Sequence, residues 1–386
     1  MNPQNSRLVA RLTAGIIAAV LVLLSACSLP QVSAEDRLFL PLSLEFLGNY
    51  QLPETTLEGT TVGGLSALAY DRQRDRLYAL SDDHSRTAPA RFYTLKLNQD
   101  PLGPMGLKVE VEAVTLLKNE QDQVYSQDTI DPEGIALSAH QSVFISSEGV
   151  ASQNAPPLLA EFDLKTGKQR RRLAIPERYW RNPESAAPQG VVENLGFESL
   201  AINPEGDRLF TATESALIQD FEAATPVQPV MNRLLHYWVG EPQPFLISEH
   251  AYPLDPTPAG ALVNGLVELI AIDSGGHFLS LERSYSPLIG YGAQIFQVAN
   301  GGATDTSKLD SFKGAAGIVP ARKRLLLDLA QLGIPLANLE GMALGPHLDG
   351  GQSLLLVSDN GFKAEQPTQF LLFRLQRGGS GQTALK

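Results

Sequence analysis

Five short stretches of this 386-residue chain end in a carboxylate: "DRLYALSD", "SVFISSE", "DRLFTATE", "HFLSLE" and "SLLLVSD". Their last residues are Asp82, Glu148, Glu214, Glu282 and Asp359, at successive spacings of 66, 66, 68 and 77 residues. A second phrase precedes each one: "GGLSALAY", "DPEGIALS", "GFESLAIN", "GLVELIAI" and "NLEGMALG". These phrases place Glu133, Glu198, Glu268 and Glu340 at four of five corresponding positions, with Ser66 at the fifth. Carboxylates brought together repel: two like charges ~4 Å apart do so by about 4 kcal/mol at an effective dielectric of 20. A fold that gathers them needs cations, arginines or raised pKa values.

Calcium suits such a set, because it takes six to eight oxygen ligands in flexible geometry. The pairs Asp82–Asp83 and Asp359–Asn360, and Asp131 beside Glu133, add further oxygens. The metal-ligand candidates are thus Asp82, Asp83, Glu133, Glu148, Glu214, Glu282, Glu340 and Asp359. The catalytic candidates are Glu198 or Glu268 as general base and Arg283 as the group that grips an anionic oxygen. Arg86 follows the Asp-Asp-His run and is a second arginine of this kind, and His84 within that run is a ligand, a base or a plain turn histidine. No His/Cys cluster has zinc spacing, and no Gly-x-Ser-x-Gly elbow marks a serine nucleophile. A plainer reading stands beside this one: repeated acids also accept backbone amides of the next repeat or cap turns.

The elements that carry these residues read as strands. Both phrases are short, rich in apolar and β-branched residues, and bounded by Gly, Pro, Asp or Asn. "DRQRD" and "NPEGD" supply turns between the two phrases of a unit. Two more strands follow in each unit, except the last, which offers only "QFLLFRL" before the chain ends. The N-terminal "LSLEFLGNYQL" (residues 42–52) supplies the missing one. The expected fold is all-β: a single β-propeller of four-stranded blades, five counted and six possible, closed by the N-terminal strand. Units of about 66 residues exceed the usual 40 to 50 per blade, so long loops such as 183–191, 219–230 and 300–313 take up the excess.

With 43% hydrophobic residues the chain can bury a large core. A net charge of −12 argues against nucleic acid and anionic lipid surfaces as partners. The one dense basic run, "KQRRRL" (residues 168–173), reads as a solvated strand edge. The N-terminus joins Arg7 and Arg11 to an apolar run, then to Leu24-Ser25-Ala26-Cys27. This is an export signal whose end resembles the bacterial lipobox, with the only cysteine at the lipidation position. The expected layout is a signal peptide over 1–26, lipidation at Cys27, a tether over 27–41, the propeller over 42–375 and a disordered tail over 376–386. The chain is then expected as a monomeric lipoprotein of the periplasmic cell envelope, held to a membrane only by that anchor, or else as a soluble secreted protein.

Taken together, "GGLSALAYD…LYALSDD", "DPEGIAL…ISSE", "GFESLAI…LFTATE", "LERSY" and "NLEGMAL…LLLVSDN" resemble the phytase-like family, also described as "esterase-like activity of phytase". The resemblance spans residues 42–375. It implies a β-propeller and hydrolysis of a phosphoester or ester. Propeller phytases of the calcium-dependent kind have six blades and a lysine- and arginine-rich phosphate cradle; this chain shows five units and few lysines near the motifs. Two functions are therefore carried forward: an exported hydrolase acting on a small-molecule ester or phosphoester with calcium, or a non-catalytic envelope propeller that binds a glycan, peptide or protein. A lactonase-type propeller would share the chemistry of the first.

Overall fold

The computed structural model describes residues 38–100, 103, 106–181, 188–222 and 229–378. The signal peptide, Cys27, most of the tether and most of the tail lie outside the described residues. Residues 40–386 cluster as one unit, and the described residues within it hold five four-stranded antiparallel sheets. Blade one runs Leu65–Asp71, Arg76–Ser81, Arg91–Gln99 and Leu107–Leu116. Blade two runs Pro132–Ser138, Ser142–Ser147, Leu158–Asp163 and Gln169–Arg172. Blade three runs Phe197–Ile202, Arg208–Thr213, Val230–Trp238 and Phe245–Leu254. Blade four runs Val263–Ala271, His277–Ser286, Gly290–Ala299 and Arg322–Asp328. Blade five takes Asn338–Leu348, Gly351–Asp359 and Thr368–Arg377 from the C-terminal end. Its outer strand is Leu42–Leu52, paired antiparallel from Leu42↔Arg377 to Leu52↔Thr368. The chain is thus a five-bladed β-propeller whose ring closes through its N-terminal strand.

The first strand of each blade packs against the first strands of both neighbours, so these five strands line the central channel. Each blade interface holds its own apolar core, as expected where both sheet faces are covered. Phe92 and Leu80 of blade one meet Ile145 and Phe162 of blade two. Phe144 and Leu159 meet Leu209 and Tyr237 across the next interface. Phe210 and Tyr252 meet Leu269 and Phe278, Leu281 and Ile295 meet Leu356 and Phe373, and Val357 and Phe370 return to Leu77 and Tyr93. Burying each such side chain is worth about 1.5–3 kcal/mol.

The turns follow from their polar residues. Asp71 accepts from the amides of Gln73 (2.9 Å) and Arg74 (3.0 Å). Asn203 accepts from those of Asp207 (3.0 Å) and Arg208 (2.9 Å). Arginines of the basic run pair locally, Arg170 with Asp163 and Arg171 with Glu161. Part of the extra length per blade is the 300–321 connection of blade four, which crosses to blade three. There the fully buried Arg233 pairs with Asp220 and Glu249, donates to Leu309 O (2.9 Å) and Asp310 O (3.2 Å), and stacks under Phe312.

Candidate functional site

In every blade the second strand ends beside the start of the first, so their terminal residues share one mouth of the channel. The register defines five equivalent positions. Ser81, Ser147, Thr213 and Ser358 pair with Leu65, Pro132, Phe197 and Leu339. The acids Asp82, Glu148, Glu214 and Asp359 come next. In blade four the residue paired with Leu266 is Glu282, so Arg283 occupies the acid position. A β-bulge follows in each first strand. It places Ser66, Glu198, Val267 and Glu340 at one bulged position, with Glu133 in the corresponding bulge of blade two. Glu268 stands one residue beyond it. A one-residue slip reverses the face a side chain takes, and blade four differs from its neighbours at both positions for this reason.

The mouth is a cavity of about 380 Å³ lined by Asp82, Asp131, Glu133, Glu148, Glu198, Glu214, Glu340, His84 and Arg283, with Glu193, Asn194, Leu195 and Val263 at its wall. Three triads within it have ligand atoms within 4.8 Å of one another: Asp82–His84–Asp131, Asp131–Glu133–Glu148 and Glu148–Glu198–Glu214. Burial first, and then neighbouring carboxylates, push Asp82, Glu133 and Glu198 well above the carboxylate range. Glu148 is raised the same way, although the Gly196 amide and Glu198 oppose the shift. Glu214 is raised by burial against the pull of Arg283 and a hydrogen bond with Glu198. Asp359 is pushed up to about 7 by burial and by Glu340.

Arg283 is the cation of the cluster. Its Nη2 lies 2.9 Å from Glu340 Oε1 and 3.5 Å from Glu214 Oε1. Burial alone would lower its pKa, but Glu214, Glu340 and Glu198 raise it above the ordinary arginine value. Its Nε has no hydrogen-bond partner. Opposite, His84 Nε2 stands 2.8 Å from Asp131 Oδ1, in an approach that does not meet hydrogen-bond geometry. Arg86 pairs with Asp128 (2.6 Å), outside the cavity lining.

Glycines let the acids approach the next blade. A Cβ on Gly265 would lie 2.1 Å from Glu214 Oε1. The amide of Gly196 donates to Glu148, and that of Gly64 donates to Asn360 Oδ1 (2.9 Å). Some acids therefore do both things considered from sequence: Glu148 bonds the next blade and faces the cavity.

Three sequence candidates are placed elsewhere. Asp83 turns away, accepting from Arg86 and Thr87 amides and pairing with the fully buried Arg91 at 2.8 Å. Burial opposes the shift, but Thr87 and Arg91 hold its pKa below the usual range. Glu282 accepts from Tyr252 (2.7 Å) and pairs with Lys323, behind the second strand. Glu268 is 1% exposed and accepts the amides of Leu269 (2.9 Å), Leu200 (3.4 Å) and Met342. Leu200 and Met342 belong to the first strands of the two neighbouring blades, so Glu268 ties three blades together rather than facing the cavity. Conversely, Glu193 and Asn194 of the cavity wall gained no weight from sequence. Their one signal was position: each lies just ahead of a recurrent first-strand phrase.

A larger opening of about 1130 Å³ lies at the other end of the first strands, lined by Leu68, Ile135, Leu200, Met342 and the turns beyond them. Its charged groups have local partners: Arg74 pairs with Asp71, Arg72 bonds His347, Glu205 accepts from Asn203 (3.0 Å) and Arg377 donates to Ile272 O (3.4 Å). Convergent carboxylates, more numerous than the cations beside them, belong to the smaller acidic cavity.

Residues 60–362 match the family Phytase-like, described as "Esterase-like activity of phytase". The chain belongs to this family. None of the curated proteins matches it. Solved structures similar to it include an endo-arabinase from Bacteroides thetaiotaomicron, at 11% identity over 83% of this chain and 97% of that one, with a TM-score of 0.41. A xylan β-1,4-xylosidase from Bacillus halodurans shares 11% identity over 85% of this chain and 54% of that one, with a TM-score of 0.43. A periplasmic gluconolactonase from Pseudomonas aeruginosa shares 12% identity over 87% and 97%, with a TM-score of 0.33.

Proposed function

We propose that this phytase-like propeller is an exported hydrolase of a small-molecule ester or phosphoester, with divalent cation, calcium first, held by the carboxylates of the channel mouth. The proposal includes its place in the cell: a monomer outside the cytoplasm, tethered to a membrane at Cys27. One observation carries the chemistry: Asp82, Asp131, Glu133, Glu148, Glu198, Glu214 and Glu340 line one cavity with a single arginine. The donor set fits a hard cation, being almost all carboxylate oxygen. Asp82 Oδ1 is moreover buried without a hydrogen-bond partner, an arrangement that costs free energy unless something binds it; Asp131 Oδ1 has no hydrogen bond either and only the His84 imidazole beside it.

A cation held at this mouth would supply Lewis-acid chemistry toward a phosphoryl or acyl group and toward water. The chain's own residues do the rest. Arg283 presents donors to an anionic oxygen from the blade-four side. Glu198 lies within hydrogen-bond reach of Glu148 and Glu214, and burial with neighbouring carboxylates raises its pKa, which suits a group that holds a proton and passes it on. Glu268 keeps its place in the scaffold. Glu133, Glu148, Glu214, Glu340 and Asp82 are the residues assigned to hold the ion, with Asp359 beside them.

The test is turnover by purified protein of p-nitrophenyl phosphate and p-nitrophenyl acetate with and without calcium, manganese and a chelator. Chelator-sensitive release in wild type, lost in Glu198→Gln, supports the proposal. Calcium-dependent melting with no turnover under any ion would instead select the binding propeller.

A further inference from the structure

The acidic cavity contains two kinds of donor set. At one end Glu148, Glu198 and Glu214 offer carboxylate oxygen alone; at the other, Asp82 and Asp131 are joined by the imidazole of His84. The two end triads share no residue. Ligand atoms of one ion, each ~2.0–2.6 Å from it, lie within roughly 5 Å of one another. Each triad satisfies that span by itself, and the third triad, through Asp131 and Glu148, links the two.

We infer that the cavity is a two-ion site of mixed chemistry, in which Asp82, His84 and Asp131 take a nitrogen-accepting divalent ion of the zinc, cobalt or manganese class, beside a calcium-class ion held by Glu148 and Glu214, with Glu198 of the same triad left as the proton-handling carboxylate. The inference rests on the proposed metal-dependent reading and specifies its ion content.

The first support is a pair of buried carboxylate oxygens that make no hydrogen bond. Asp131 is 2% exposed, lines the cavity, and its Oδ1 has no hydrogen-bond partner. Asp82 Oδ1 is likewise buried and unpartnered. The second is the placing of His84. Its Nε2 stands 2.8 Å from Asp131 Oδ1, near the roughly 3.3 Å that separates two tetrahedral ligands ~2.0 Å from one ion. The third is the outer partner. His84 Nδ1 faces Asp128 Oδ1 at 3.8 Å, and Asp128 is held by Arg86 at 2.6 Å. A metal-binding histidine commonly turns its second nitrogen to a carboxylate; here that carboxylate is near, though His84 Nδ1 makes no hydrogen bond to it. Asp128 also donates its backbone amide to His84 O at 2.7 Å, which fixes this loop pair. Imidazole favours transition-type ions, and carboxylate sets favour calcium, magnesium or manganese.

The experiment uses the full mature protein, stripped with chelator and titrated calorimetrically with Co²⁺ and with Ca²⁺, singly and in sequence. Visible Co²⁺ absorption is followed in parallel. The expected result is one Co²⁺ per chain with a spectrum showing nitrogen ligation, retained when Ca²⁺ then saturates a second site. His84→Gln should weaken Co²⁺ about 10–100-fold, as loss of a ligand does at least as strongly as loss of a supporting group. Ca²⁺ binding should stay within about threefold. Asp128→Asn should weaken Co²⁺ less than His84→Gln does. If Ca²⁺ binds but displaces Co²⁺ one for one, or if His84→Gln binds Co²⁺ as wild type does, the two-ion inference is overturned while the hydrolase reading stands. If neither ion binds, both fall. The competition on wild type decides the matter even if the variants fail to fold.

Discussion

Arg283 of blade four reaches Glu340 of blade five at 2.9 Å, from the position where four other blades carry an acid. This exchange of an acid for an arginine gives the channel mouth an asymmetric charge, with carboxylates around most of the ring and a cation on one side. If that cation grips the anionic oxygen of a substrate, Arg283→Gln should lower kcat/KM by about 10²–10³-fold, the usual loss of one charge-stabilising donor. Calcium affinity should not weaken; it should tighten, because a positive charge leaves the cluster. Arg283→Lys should recover little, since it lacks the planar fork. Turnover and calorimetry on the same variants separate the two effects. Unchanged turnover in Arg283→Gln would remove the residue from the chemistry.

The raised carboxylates make a pH prediction. Asp359 is pushed up to about 7 from an ordinary 3.8, and Asp82, Glu133, Glu148 and Glu198 are raised with it. A carboxyl whose folded pKa exceeds its unfolded value binds its proton more tightly in the native state. Its contribution is fully present below the unfolded value and is lost as pH rises through the folded one. Chelated protein should therefore lose stability from about pH 4 to about pH 8 through these groups. A cation competes with the same protons and binds better as they leave. The rise in Tm caused by calcium should widen between pH 5 and pH 8 in scanning calorimetry. An increment that stays flat with pH would place calcium somewhere other than these carboxylates.

How much of this could be read without coordinates depended on backbone pairing. The strands were legible because each phrase is apolar, short and closed by a turn; "LSLEFLGNYQL" was legible as the closing strand because the last unit lacked one. The two positions in blade four were not. "GLVELIAI" and "HFLSLER" each carry a glutamate one place away from the ring, and a bulge hides that offset from simple counting. The glycine was the usable signal: aligning Gly265 with Gly196 puts Val267, not Glu268, opposite Glu198. The hydroxyl residue before each acid was a second signal, since Ser81, Ser147, Thr213 and Ser358 correspond to Glu282 and leave Arg283 as the ring residue. Asp83 was drawn in by adjacency to Asp82, although successive residues leaving a strand take opposite directions.

Gly265 offers a direct test of how the ring is built. Its backbone needs no special conformation; the constraint is space, with a Cβ falling 2.1 Å from Glu214 Oε1. Gly265→Ala must push the Glu214 carboxylate off its place beside Arg283. The expected cost is about 1–3 kcal/mol of stability, as for other overpacked sites, together with weaker calcium binding. Gly290→Ala, at an open hairpin turn where a Cβ meets nothing within 4 Å, serves as the contrast: its positive φ of 93° costs stability but should leave calcium affinity unchanged. Equal calcium affinity in the two variants would show that Glu214 is not a ligand.

The closing strand carries the last prediction. Leu42–Leu52 supplies one whole edge of blade five, and Phe46 packs on Phe373 with ring centroids 5.3 Å apart. Removing it would expose the paired edge of Thr368–Arg377, whose apolar residues Phe370, Leu371, Leu372 and Phe373 are buried. An uncovered apolar edge strand is a template for aggregation. A chain beginning at Pro53 should therefore melt lower than one beginning at Leu40 and form oligomers in size-exclusion chromatography. Adding the 42–52 peptide should shift its Tm upward, because the peptide binds the native edge and not the unfolded chain. Blade five also carries Glu340 and Asp359, so the truncated chain should lose calcium-induced stabilisation and regain part of it with the peptide. Full calcium response in the chain beginning at Pro53 would mean that ring closure and the acidic mouth are uncoupled.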